Sequence, residues 1–273
     1  MNISTRINQL ILLSTILLLC AYKDPNPNDS CADIANLEKL SSNKDVAAAT
    51  NLAICYALGN NVVQDYAKAL LYYQQAAEQN YAEAQFNLGI MYENGTGVEQ
   101  DYAKARLYYQ QAAEQNLPEA QYNLGAMHAK GYGVEQDYSK VKSYFQQAAE
   151  QNYAGAEYNL GVMYAKGIGV AQDHAKALLY YQQAAEQNYA GAQCNVGGIY
   201  YHGYGVKQDY AKALLYYQQA AEQNHAKAQL NLGVMYYNGT GVEQDYAKAR
   251  SYYQQAAEQN YAKAKDRLLK MDK

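Results

Sequence analysis

The chain has 273 residues and carries 22 Lys and Arg against 26 Asp and Glu, for a net charge of −4. That balance supplies no basic face for a phosphate backbone, so nucleic acid is not expected as a partner. Its 32 tyrosines stand beside two phenylalanines and no tryptophan, a bias that points to a short unit copied many times.

The N-terminus opens with Arg6 and an apolar run from Leu10 to Leu19, too short to cross a bilayer comfortably as a permanent helix. A basic start, a short apolar middle and small residues near Leu19-Cys20-Ala21 make residues 1–21 a secretory signal peptide. The run also resembles a bacterial lipoprotein signal, which implies Cys20 as a lipidated first residue, although Leu19 fills the position where that pattern prefers a small side chain. Ordinary cleavage is the expectation and lipidation of Cys20 the alternative. Either way the chain is exported, to a periplasmic, envelope-associated or secreted location, and meets a membrane only through an N-terminal anchor. Asp24-Pro25-Asn26-Pro27-Asn28-Asp29 is a proline-broken spacer, and residues 22–44 form a linker and an N-terminal helical cap.

The cysteines are Cys20, Cys31, Cys55 and Cys194, with no CxxC and no zinc-site spacing. Two readings stay open: one bridge, Cys31–Cys55, in an oxidising compartment, or four separate thiols.

From residue 45 the chain is periodic. Asp65, Asp101, Asp137, Asp173, Asp209 and Asp245 recur every 36 residues. Six full copies fill 45–80, 81–116, 117–152, 153–188, 189–224 and 225–260, and 261–273 is a charged C-terminal capping helix. In the second copy, Ala84, Leu88, Met91 and Tyr92 fall on one side of a first helix. Gly95 and Gly97 then supply the positive φ of a tight helix–helix turn. Asp101 is placed to cap a second helix, Tyr102 to Gln115, which ends at Asn116, a residue type that tolerates the left-handed conformation. Small residues such as Gly89 and Ala105 allow close helix approach, and the tyrosines read as packing residues between layers. The expected fold is an all-α solenoid of tandem helix-turn-helix repeats.

Ala84…Leu88-Gly89…Tyr92, Gly95-Thr96-Gly97-Val98, Asp101, Lys104-Ala105 and Ala112-Ala113 resemble the Sel1-like repeat, a relative of the tetratricopeptide repeat. Leu124-Gly125, Leu160-Gly161 and Leu232-Gly233 repeat the match. The departures are Asn61 for the second turn glycine in the first copy, Val196-Gly197 for Leu-Gly in the fifth, and asparagine where the second helix usually ends in glycine. The resemblance implies a right-handed superhelix whose concave surface holds partners, often in exported bacterial proteins of host interaction, signalling or envelope assembly.

Comparing the copies with each other locates a candidate groove. The first helix varies at three registers that share one face: Thr50, Phe86, Tyr122, Tyr158, Cys194 and Leu230; Ile54, Ile90, Ala126, Val162, Gly198 and Val234; Ala57, Glu93, Ala129, Ala165, Tyr201 and Tyr237. By analogy with tetratricopeptide domains this largely apolar face lines the concave groove, an exposed apolar surface of the kind that binds. The fifth copy stands out. Gly191, Cys194, Gly197 and Gly198 strip volume between Tyr158 and Tyr201 with its neighbour His202, so a notch there is expected to accept a bulky partner side chain.

Catalysis is not expected. Some secreted members of the family are described as penicillin-binding or β-lactamase-like, which makes an envelope enzyme the alternative function. Ser41…Lys44 and Ser139…Lys142 match Ser-x-x-Lys, but neither has the companion Ser-Asp-Asn or Lys-Thr-Gly. His128, His174, His202 and His225 lie in different copies and form no close pair, so no metal or cofactor is expected. The sequons at Asn94 and Asn238 coincide with the inter-helix turn. The function expected is an exported, monomeric scaffold that binds an unidentified protein or peptide in the groove.

Overall fold

A computed structural model describes residues 31–271; the leader, Cys20 and the spacer lie outside them. The described residues form fourteen helices: α1 (Ile34–Ser42), α2 (Val46–Leu58), α3 (Tyr66–Ala77), α4 (Ala82–Asn94), α5 (Tyr102–Glu114), α6 (Pro118–Lys130), α7 (Tyr138–Ala149), α8 (Ala154–Lys166), α9 (His174–Glu186), α10 (Ala190–His202), α11 (Tyr210–Glu222), α12 (Ala226–Asn238), α13 (Tyr246–Glu258) and α14 (Ala262–Met271). Strong contacts join helices adjacent in the chain, the nearest-neighbour pattern of an all-α solenoid. Two compact units divide it, one through Ala148 and one from Ala149 onward.

Local chemistry sets each unit of two helices. The first ends where Gly95 turns left-handed at φ 70° and its N–H reaches the Met91 carbonyl. Gly97 follows at φ 71°, and a Cβ there would sit 2.5 Å from Cβ of Tyr66 in the preceding copy, so this turn needs glycine twice over. In the first copy Asn61 takes that position at φ 56°, and its amide donates to the Cys31 carbonyl at 3.0 Å. The Gln-Asp pair closes the turn from both sides. Gln100 Nε2 donates to the Glu93 carbonyl at 2.7 Å, and Asp101 accepts from the Ala103 and Lys104 amides, each at 3.0 Å. Such a cap is worth about 1 kcal/mol. The second helix stops at asparagines that all turn left-handed, from Asn224 at φ 58° to Asn116 at φ 62°.

Three side-chain contacts then bind the two helices. A Cβ on Gly89 would lie 2.5 Å from the Tyr109 ring, so only glycine lets that ring press against the first helix, and Gly161 meets Tyr181 in the same way. Tyr92 stacks on Tyr108 with centroids 5.7 Å apart, and the Lys104 ammonium lies 5.1 Å above Tyr92, a cation–π contact of about 0.5–1 kcal/mol at an exposed site. Gln115 Nε2 donates to buried Gln85 at 2.7 Å. Glu157 replaces that glutamine in the fourth copy and accepts from Gln187 at 2.7 Å; burial pushes its carboxyl upward.

The cysteine alternatives resolve as a Cys31–Cys55 disulfide, with Cα atoms 5.7 Å apart, that ties the approach of α1 to α2. Cys194 is a free, buried thiol.

Replacing Cys31 and Cys55 by serine is expected to lower stability by about 2–4 kcal/mol. In hydrogen exchange the loss of protection should centre on α1 and α2, because each copy touches only its neighbours. A second expectation concerns His128, which takes the place of the stacked first-helix tyrosine. It lies against Tyr144, near Lys140, Arg106, Asp137 and the Glu135 carbonyl, and burial pushes its pKa below the ordinary 6.5. Its contribution to stability is therefore full above about pH 6.5 and lost as the unfolded chain takes up the proton below it. His128→Tyr should flatten thermal stability between about pH 7 and pH 5 relative to the native chain.

Candidate partner-binding site

The three variable registers do not form one open face. In the first, Thr50, Phe86, Cys194 and Leu230 are buried. Phe86 packs on Tyr109 at 5.7 Å, Tyr122 on Phe145 at 5.4 Å and Tyr158 on Tyr181 at 5.7 Å. This register faces the second helix, and its four buried members belong to the core, which corrects the expectation of an exposed groove at Phe86. Ile90, Ala126 and Ala129 are buried as well, so the N-terminal unit offers little apolar surface along these registers. Variation among copies there does not mark exposure. In the C-terminal unit Tyr158, Val162, Ala165, Gly198, Tyr201, Val234 and Tyr237 are half-buried and reach the surface.

A cavity of about 490 Å³ opens at Gly198. Its lining comes from five helices and one turn: Ala165 of α8; His174 and Tyr181 of α9; Cys194, Asn195, Gly198, Ile199, Tyr201 and His202 of α10; Tyr204 of the turn; Tyr217 of α11; Lys227, Asn231 and Val234 of α12. A Cβ on Gly198 would meet only the Tyr217 hydroxyl oxygen, at 3.6 Å. The other two glycines do not enlarge this space. A Cβ on Gly197 would collide with the Tyr217 ring at 2.7 Å, the contact made by Gly89 and Gly161 in their copies, and one on Gly191 would meet Tyr189 and Tyr158. Tyr158 lies outside the lining and packs on Tyr189 at 4.9 Å. The notch is therefore the work of Cys194 and Gly198, two small residues one helical turn apart.

Its polar groups escape a comparison of variable positions, because asparagine is constant at this register from Asn51 to Asn231. Asn195 hydrogen-bonds Tyr181 and Asn231 hydrogen-bonds Tyr217, and burial pushes both phenols upward. Their signal lies instead in the constant positions, since the asparagine recurs at the same place in all six first helices. The histidines do meet in one place. The His174 and His202 rings each stack on Tyr204, at 5.4 and 5.0 Å, because α9 begins against the turn of the following copy. Among the described residues no cluster of three His, Cys, Asp or Glu could hold a metal ion. Ser139 is exposed on the first turn of α7, its amide bonded to Asp137, and Ser41 is buried with its carbonyl taken by Gln75.

The nearest-neighbour stacking and the glycine–ring contact within the helix pairs define an all-α solenoid of tandem helix pairs. The Sel1 repeat model matches residues 46–81, 82–117, 118–153, 154–189, 190–225 and 226–261, and the chain belongs to the Sel1 repeat family. Two solved structures show the same fold. One is a protective antigen present in uropathogenic Escherichia coli strains, 36% identical at a TM-score of 0.82, over 86% of this chain and 50% of that one. The other is a Sel1 repeat protein from Oxalobacter formigenes, 35% identical at a TM-score of 0.75, over 78% of this chain and 88% of that one. The chain thus spans half the length of the E. coli antigen. Among curated proteins none matches.

Burial holds the Cys194 thiol up at about 11. Its alkylation by iodoacetamide at pH 8 is expected to run on the order of a hundredfold slower in the folded chain than in urea, because the thiolate is the nucleophile. Comparable rates in the two states would place the thiol at the surface.

Proposed function

We propose that this chain is an exported scaffold that holds a protein or peptide partner against the first-helix face of its fourth to sixth copies. The cavity at Gly198 carries the reading: it has the size of a ligand pocket, and it sits where two of the larger side chains of the repeat are missing. Sel1 repeat proteins generally bind protein partners. Export is supported by the leader-like N-terminus and by the Cys31–Cys55 bridge, a bond that persists in oxidising compartments. The similar E. coli protein is a protective antigen, which favours host interaction over envelope signalling as the setting. The scaffold acts as a monomer and meets a membrane only through its N-terminal segment.

Cross-linked capture with the exported chain tests this, beside Gly198→Arg in the cavity and Leu179→Arg on the second-helix face, where Leu179 is 55% exposed. A partner kept by Leu179→Arg and lost by Gly198→Arg, with unchanged circular dichroism, is the expected outcome. Loss with Leu179→Arg alone would move the binding surface to the second helices.

A further inference from the structure

The cavity at Gly198 is walled by a set of rings that no other copy combines. His202 ends α10 and Tyr204 lies in the turn after it, and both line the cavity. At the His202 register the other copies hold Leu58, Asn94, Lys130, Lys166 and Asn238, and at the Tyr204 register only Tyr132 is also aromatic. His174 stands where the other five copies have tyrosine. With Tyr181, Tyr201 and Tyr217 the lining holds six aromatic rings and no acidic side chain. The two imidazoles are held by ring contacts with Tyr204 and, for His202, with Tyr201 as well. Among the described residues neither imidazole makes a hydrogen bond, so their ring nitrogens are open to a ligand, and neutral imidazole is a common metal ligand.

A ligand that suits these walls is flat, wide and largely apolar, and it offers a centre that an imidazole can bind. A bare metal ion does not fit, because no three His, Cys, Asp or Glu of the described residues come together around one. An iron already held by the ring nitrogens of a porphyrin needs far less from the protein, and a single histidine serves. His202 is placed for that role. It follows Gly198 by four residues and so lies on the same face of α10, one turn further on, beside the recess left by the missing side chain. The volume of about 490 Å³ falls within the range of ligand and cofactor pockets, about 300–1,000 Å³. Going beyond the scaffold reading, we infer that the cavity takes an iron porphyrin, with the His202 imidazole as axial ligand of the iron and the macrocycle in the notch at Gly198 against the rings of Tyr201 and Tyr217. With no acidic side chain in the lining, the anionic edge of such a macrocycle meets no like charge there. The inference needs the cavity and its rings, not a protein partner.

The probe is hemin, the ferric protoporphyrin, titrated into the exported chain and followed by its Soret absorbance. One equivalent is expected to saturate the chain and shift the band. His202→Ala should weaken binding by at least about tenfold, the lower end of what a lost partner costs a metal site, and free imidazole should restore the band by refilling the axial position. His174→Tyr, which returns the residue of the other copies, should keep the band. Metal-free protoporphyrin separates the slot from the ligand: it should bind the native chain and His202→Ala alike, and Gly198→Leu should exclude both porphyrins. Circular dichroism of each variant checks that the helices persist. The inference fails if hemin does not saturate at one equivalent, if His202→Ala leaves the band unchanged, or if Gly198→Leu binds hemin as the native chain does. Should a chain that takes no hemin still lose its captured partner with Gly198→Arg, the scaffold reading stands and only the porphyrin falls.

Discussion

Five of the six copies hang on one contact, that of a first-helix glycine with a second-helix ring, while the first copy sets Ala53 at that register. At Gly89 and Tyr109, Gly161 and Tyr181, and Gly233 and Tyr253, the absent Cβ is the space that the ring fills. The contact sets how close the two helices come. That distance decides whether the next tyrosine pair can stack, whether the terminal glutamine of the second helix reaches its buried partner, and where the turn glycine meets the preceding copy. Phe145 keeps the contact with Gly125 without a hydroxyl, so the ring is what the interface requires. The hydroxyl instead serves the neighbour's asparagine, as Tyr181 does with Asn195.

The parts legible in the sequence are those fixed within a few residues. The capping aspartates, the left-handed glycines and the asparagine stops depend on local backbone chemistry, and the family resemblance rests on the same positions. Burial was less legible, because it depends on which neighbour covers a residue. Phe86 and Ile90 vary as a binding face would, yet they vary inside the core, covered by the neighbouring helices. Pairings across copies were hidden for the same reason. His174 and His202 are 28 residues apart in the chain and share one ring, Tyr204.

The cavity shows a repeat protein gaining a local feature. Nothing in its framework is new: α10 and α12 follow the common plan, and the Gly197–Tyr217 contact is intact. Two shortened side chains and one lysine change the local volume and charge while the helices stay in place. The site is then held by rigid elements rather than by a loop, so its shape is set before a ligand arrives. The asparagines that brace Tyr181 and Tyr217 from behind are the same residues that present amides to the opening.

Because the interface between successive copies is nearly the same at each step within a unit, the chain is modular in a genetic sense. Unequal exchange between two copies removes or adds one period and joins helices that already fit. Loss of the period between α9 and α12 would set α12 against α9 through the contact that α10 makes now. Length is then free to drift between relatives. A site written in copy-specific residues such as Cys194, Gly198 and Lys227 can be deleted, doubled or moved in a single event that leaves the fold unharmed.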